Sequence, residues 1–217
     1  MVCWSCEKAA GGGMECAHCG ALLPPDPGAD FFGVLGVERR YDLDMASVEQ
    51  RYRELTRKLH PDRFARADPR ARRASLARSV QLNEAWRALK DPVRRAEYLL
   101  GLMRAREQET QTEKETAPPA LLAEILELRQ ELGEARLEGD DAKVQQMATA
   151  MRARAEQSMS RVAGLLSGAS PPPPQAVTEA AGELVAVRYY RRFLDEVAVH
   201  DEAVAAQAES GSGASNG

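Results

Sequence analysis

The chain has 217 residues, a formal net charge of −4, 44% hydrophobic residues and only 5% aromatic ones. That length holds one large domain or two small ones, and the shortage of aromatics leaves a core of Leu, Val, Ala and Met, which suits helices. No apolar run approaches the roughly 20 residues of a membrane span and no secretory h-region opens the chain, so a soluble protein of a reducing compartment, most simply the bacterial cytoplasm, is expected.

All four cysteines lie at the N-terminus, as Cys3-x-x-Cys6 and Cys16-x-x-Cys19. Thiolates two residues apart wrap one face of a metal, and two such pairs complete a tetrahedron. Gly11-Gly12-Gly13 lets the intervening loop fold back, and Gly20 permits a tight turn after the second pair. The segment is too short to bury a core, so one structural zinc ion is expected to hold it together, with Cys3, Cys6, Cys16 and Cys19 as ligands. Iron in a rubredoxin-like site has similar geometry. Two other readings are a redox pair of disulfides and a nucleic-acid-binding ribbon. Against the ribbon stand the short spacing and the single positive charge, Lys8; phosphate contacts need more. His18, inside the second pair, reads as a bystander.

Residues 23–30, LPPDPGAD, read as a turn-rich linker, followed by FFGVLGV at 31–37. Asp44 can cap a helix whose apolar residues Val48, Tyr52, Leu55 and Leu59 recur at spacings of four, three and four. Asp68-Pro69 supplies a second cap with proline at the first helical position, and Leu82, Trp86 and Leu89 give that helix its own stripe. His60-Pro61-Asp62 therefore sits in the loop of a helical hairpin. With FFGVLGV before it and NEAWRALKDPVRRAEYLL (83–100) after it, this stretch resembles a J-domain, assigned to 29–105, the module that docks on ATPase chaperones of the DnaK class. The resemblance implies that Asp62 accepts charge-assisted hydrogen bonds from a chaperone arginine and that His60 and Pro61 set the loop. It also implies that Arg51, Arg57 and Lys58, with Arg53 and Arg63 beside them, face an acidic surface of the chaperone.

A polar linker over 106–117 leads to three further helical stretches, 118–138, 140–167 and 175–207, broken by Gly139 and by GASPPPP at 168–174. Residues 208–217 read as a disordered tail. Three long helices with short breaks are most simply a three-helix bundle. On a helical wheel Leu121, Ile125, Leu128, Leu132 and Ala135 form one stripe, and Leu122 and Leu126 fall outside it. On the last helix Leu184, Val187, Arg191 and Leu194 form an inner stripe, with Tyr189 and Phe193 outside it. Apolar residues beyond what a bundle buries imply a contact patch; the competing accounts are a broader bundle or self-association into a weak homodimer.

LLAEILELRQEL (121–132), after a J-domain and a linker, is similar to the start of the C-terminal domain of the HscB family, co-chaperones of iron–sulfur cluster assembly. RYYRRFLDEV (188–197) resembles that family's closing helix, and some members carry the same pair of cysteine knuckles. The resemblance implies an all-α fold of knuckle, J-domain and three-helix bundle. It implies two partners: an HscA/DnaK-type chaperone at the HPD loop, and an IscU-type scaffold protein on Leu122, Ala123, Leu126, Glu127, Gln130 and Phe193. The family's commoner pattern has a larger apolar residue at Ala123 and an acid at Gln130. No catalytic site of the chain's own is expected, since its histidines are only His18, His60 and His200 and no phosphate loop or carboxylate dyad appears. Charge follows the same division: 18 basic against 11 acidic residues over 30–106, and 10 against 19 from 107 onward. Opposite signs fit two unlike partners, neither a nucleic acid nor a membrane.

Overall fold

The computed structural model describes residues 2–107, 117–168 and 171–212. Among them are seven α-helices and no strand beyond two isolated bridges near the N-terminus, so the fold is all-α. The helices begin where the sequence offers caps. α1 (Phe31–Leu35) starts at Asp30, whose carboxylate accepts the Gly33 N–H at 2.8 Å. α2 (Met45–Leu59) starts at Asp44, and α3 (Pro69–Lys90) at Asp68-Pro69. α4 (Pro92–Glu107) follows at once, because Asp91 accepts the N–H groups of Val93 and Arg94 at 2.8 and 2.9 Å. Each cap satisfies a donor that the first turn leaves without a partner, worth about 1 kcal/mol.

A first compact unit ends at Leu99. In it α2 and α3 run antiparallel. Tyr52 stacks on Trp86 at 4.8 Å and its hydroxyl donates to Asn83; at the other end the Ser75 and Ser79 hydroxyls donate to the Leu59 carbonyl at 2.7 and 3.1 Å. Val48, Leu55 and Leu59 of α2 and Leu82, Ala85 and Leu89 of α3 are buried as their spacing requires. α1 closes the bottom: Phe32 is fully buried, and Phe31 stacks on Tyr98 of α4 at 4.4 Å.

The segment read as a linker at 23–30 does not swing freely. Leu23 is 1% exposed, and the Arg78 guanidinium of α3 binds the Leu23 and Pro24 carbonyls at 2.5 and 2.9 Å. The cysteine segment therefore belongs to the same compact unit as the helical hairpin. Leucine is too apolar to remain in a hydrated hinge when a helix face lies beside it.

The second unit, from Leu100, contains α5 (Pro119–Glu138), α6 (Asp141–Leu166) and α7 (Pro174–Ser212), a three-helix bundle. α5 ends at Gly139, held at φ 70°, with the Asp140 N–H reaching Ala135 O at 2.8 Å and the Gly139 N–H reaching Arg136 O at 3.2 Å. This left-handed stop closes the carbonyls of the last turn. Leu132 and Ala135 of α5, Val144, Met147, Ala148 and Met151 of α6, and Phe193 and Val197 of α7 pack as one core.

Two boundaries differ from the sequence reading. α4 continues to Glu107, so the expected linker starts later, and its residues 108–116 lie outside the described residues. Residues 169–170 of the second break also lie outside them. α7 continues to Ser212, past the expected tail start at 208, because the alanine-rich run before it favours helix; residues 213–217 lie outside the described residues. No helix among the described residues is long and apolar enough to cross a membrane.

Candidate docking surfaces and metal centre

The HPD loop is built by backbone restriction. His60 precedes a proline and takes φ −55°, ψ 130°, the extended region that proline imposes on its neighbour. Pro61 then opens a 3-10 turn over Pro61–Phe64. The Asp62 N–H donates to Nδ1 of His60 at 3.3 Å, and the Asp62 carboxylate stands 3.5 Å from the same nitrogen with 90% of its side chain in solvent. Among the described residues a carboxylate held out in this way has no strong partner, and it suits an incoming cation. The Leu59 carbonyl immediately before the loop is anchored from behind by Ser75, which is fully buried, and by Ser79. Neither serine was singled out in the sequence, where a hydroxyl on a helix gives no signal of its target.

Around the loop, Arg51, Arg57, Lys58 and Arg63 are all exposed. They are not equally free. Lys58 pairs with Glu15 of the cysteine segment at 3.1 Å. Arg53 pairs with Glu49 at 2.6 Å, and Arg63 reaches the Arg57 carbonyl at 3.4 Å. Arg51 lies against α1's end, where a Cβ on Gly36 would come within 3.3 Å of its guanidinium.

The cysteine segment is two copies of one turn, offset by thirteen residues. The Cys3 N–H donates to Lys8 O and the Glu7 N–H to Cys3 O; Cys16 to Ala21 and Gly20 to Cys16 repeat this pattern, all at 2.9–3.0 Å. Glu7 at φ 59° holds the left-handed position that Gly20 fills at φ 71° in the second copy. Ser5 and His18 N–H groups each point at the first sulfur of their turn, both at 3.4 Å. The four sulfurs lie within 4.8 Å of one another, with Cys3–Cys19 at 3.6 Å and Cys6–Cys16 at 3.7 Å. Four sulfurs about 2.3 Å from a tetrahedral ion stand roughly 3.8 Å apart, so the cradle fits a thiolate-bound metal. A disulfide needs about 2.05 Å, and all four cysteines are free. His18 is exposed and outside the cluster. The Cys6 and Ser5 backbone N–H groups hold the Cys3 thiol down to about 6. The Lys8 N–H lowers Cys6 in the same manner, but burial and the other three sulfurs outweigh it and push that thiol up to about 11.

On α5 the expected inner stripe is inside: Ile125, Leu132 and Ala135 are buried, with Leu121 and Leu128 at the edge. Leu122 and Leu126 stand out at 41% and 70% exposure, with Ala123, Glu127 and Gln130 exposed beside them. Leu137, 91% exposed, continues the row: at 100° per residue it falls within about 60° of Leu122 and Leu126. Glu127, Glu131, Glu134 and Glu138 flank that row on one side. Leu137 was missed because it lies beyond the segment that carried the family resemblance.

Phe193 does not belong to this surface. It is 0% exposed, in the core between α5, α6 and α7, while Arg191, expected to line the inside, is exposed. Tyr189 is half-buried. The cause is the third helix. Around residues 193–197 α7 is covered by α5, to which it is tied by Arg129–Glu196 and by Arg136 donating to Glu196 O, and the wheel of one helix does not register a second neighbour.

Comparison with known proteins follows the same division. The DnaJ domain family matches residues 30–98, and the HSCB C-terminal oligomerisation domain matches residues 117–198. The chain is 34% identical over 156 residues to the mouse iron-sulfur cluster co-chaperone protein HscB, covering 70% of this chain and 64% of the mouse protein, and so spans just under two thirds of that relative. It is 34% identical over 138 residues to the co-chaperone protein HscB homolog of Ralstonia nicotianae, covering 63% of this chain and 77% of that one. The crystal structure of human co-chaperone protein HscB superposes with a TM-score of 0.78 at 25% identity, over 93% of this chain and 98% of the human one.

Proposed function

The chain belongs to the HscB family of J-domain co-chaperones, and on that premise we propose that it stimulates the ATPase of an HscA/DnaK-type chaperone through its HPD loop while its bundle presents an IscU-type iron–sulfur scaffold protein for cluster transfer. The observation that carries this reading is a pair of unlike docking surfaces, one in each compact unit. One is a solvent-held Asp62 carboxylate among exposed arginines. The other is a row of exposed leucines beside glutamates on α5.

Asp62 accepts from an arginine of the chaperone, His60 and Pro61 hold the loop in its turn, and Arg51, Arg57, Lys58 and Arg63 meet acidic groups. On the bundle, Leu122, Ala123 and Leu126 lie against apolar surface of the scaffold, and Glu127 and Gln130 meet its polar rim; Phe193 acts from the core, by holding α7 against α5. The chain performs no chemistry of its own. It raises the effective concentration of client near the ATPase and biases the chaperone toward hydrolysis and clamping. One structural zinc ion on Cys3, Cys6, Cys16 and Cys19 holds the N-terminal segment, and the bacterial cytoplasm, where free thiols persist, is its compartment.

A second reading, a J-domain co-chaperone for a different client, rests on Ala123 and Gln130, which offer less apolar area and less charge than the commoner family pattern. Chaperone turnover with the full chain tests the assignment. The wild type accelerates ATP hydrolysis, and Asp62→Asn abolishes the acceleration while scaffold binding stays intact. Loss of both together would sink the two-surface account, and failure of the wild type to bind scaffold would favour the other client.

A further inference from the structure

The cysteine segment and the HPD hairpin meet through one side chain. Arg78 lies in the buried phase of α3, between Ala74 and Leu82, and is only 9% exposed. Its Nε donates to Leu23 O at 2.5 Å, and its Nη2 to Pro24 O at 2.9 Å and to Gly13 O at 3.5 Å. All three acceptors are backbone carbonyls of the N-terminal segment. Gly13 lies between the two knuckles and Leu23 just past the second, and the two stretches are joined by the Leu23 N–H donating to Met14 O at 2.9 Å. Burial pushes the Arg78 guanidinium down from its ordinary range, against the pull of Asp26; the segment that covers the charge also supplies the carbonyls that partner it. Two outer contacts accompany it: Arg70 donates to Trp4 O at 3.1 Å, and Lys58 pairs with Glu15.

The acceptors exist only while the knuckles are folded. The segment's own core is Cys3, Ala10, Cys16 and Leu23, half of it ligand sulfurs, so without a metal little holds the loops in shape. On a neighbouring face of α3, about 60° and 100° round the helix from Arg78, Ser75 and Ser79 hold the Leu59 carbonyl that begins the HPD loop. We propose that Arg78 couples metal binding at the four cysteines to the HPD hairpin, so that the N-terminal segment is a metal-dependent clamp on α3. The proposal rests on the metal reading of the cysteines given above. Linkage makes the coupling reciprocal: metal stiffens the α2–α3 hairpin, and the intact hairpin tightens metal binding by the same factor.

Such a path needs a demonstrated coupling, which a two-perturbation cycle on the full chain supplies. The chain is prepared zinc-loaded and chelator-stripped, as wild type, Arg78→Gln and, as a control on an exposed face of α3, Arg87→Gln. Zinc content by elemental analysis comes first. Zinc affinity is then read by competition with a chromophoric chelator, and the exchange of α2 and α3 amides is followed with and without zinc. In the wild type, stripping zinc speeds exchange in residues 55–59 and 70–82 by about tenfold or more. Arg78→Gln weakens zinc by about 10- to 100-fold, the range expected for a lost charged hydrogen-bond set, and makes the loaded chain exchange like the stripped wild type; Arg87→Gln does neither. Should Arg78→Gln fail to fold, Arg78→Lys, which keeps the charge but loses the fork, carries the same comparison. One zinc per chain whose removal leaves α2–α3 exchange unchanged, or an Arg78 variant with wild-type zinc affinity, overturns the coupling while leaving the metal site standing. No zinc bound overturns both.

Discussion

Replacing Leu122 and Leu126 together by alanine separates the docking role of the bundle from its folding. Leu126 keeps 70% and Leu122 41% of its surface in solvent. Full burial of a leucine is worth about 1.5–3 kcal/mol. Scaled to those fractions, a partner covering both gains about 1–2 kcal/mol from Leu126 and about 0.6–1.2 kcal/mol from Leu122. Their joint loss of about 2–3 kcal/mol weakens scaffold binding roughly 30- to 150-fold. By the same scaling, the parts of both side chains already covered in the bundle contribute about 1–3 kcal/mol to its stability, so the urea midpoint falls but the bundle stays folded where binding is read. Calorimetric titration of the scaffold protein onto the full chain, beside a urea melt of the same samples, reads both quantities. Phe193→Ala is the contrasting variant: from a fully buried site it costs about 3–5 kcal/mol of stability, and any loss of binding follows the loss of fold. Full-strength binding by a folded leucine pair would refute the docking face, and lost binding by Phe193→Ala at an unchanged midpoint would refute the indirect role of Phe193.

Three further outcomes follow from the first unit. Zinc affinity falls as pH falls, because the ligands must be thiolates: Cys6, pushed up to about 11, gives up a proton on binding throughout the neutral range, so affinity drops at least about tenfold per pH unit, and more steeply once Cys3 protonates near 6. A flat competition profile between pH 7.5 and 5.5 would exclude thiolate ligation. Ser75→Ala removes one of two donors to Leu59 O and costs about 0.5–1.5 kcal/mol, and adding Ser79→Ala leaves that carbonyl unpaired for a total of about 1–3 kcal/mol; an unchanged urea midpoint in the double variant would show that neither serine anchors the loop. Glu7→Gly relieves a left-handed backbone at φ 59° and raises the stability of the zinc-loaded segment by up to about 1 kcal/mol, measured as tighter zinc retention against a chelator; weaker retention would mean the Glu7 side chain contributes more than its backbone strain removes.

Much of this protein was legible in its sequence because the decisive signals are local. Asp44 and Asp68 cap the helices that follow them because a carboxylate reaches the N–H groups of the next turn whatever the rest of the chain does. Pro61 restricts His60, and Gly139 stops α5, by the same short-range sterics. The thirteen-residue offset between the cysteine pairs already contains the repeated turn that gathers four sulfurs. The stripe of α5 could be read because that helix presents one face to the core, so one wheel suffices, and Leu122 and Leu126 emerged as surplus from the same wheel.

The failures share one cause, since each depends on which surfaces meet across long stretches of chain. Phe193 is buried because α5 covers a second face of α7, and the period of α7 alone carries no record of α5. Arg78 falls in the apolar phase of α3, a visible anomaly, but the carbonyls that accept its charge come from 54 to 65 residues earlier. Residues 23–30 have the composition of a free linker and instead hold Leu23 against the fold. Helix starts, turns and ligand spacing are decided by interactions within a few residues and were determined by the sequence itself. Depth of burial, the acceptors of a buried cation and the anchoring of the HPD loop are decided by close packing between distant segments, and only the tertiary structure settled them.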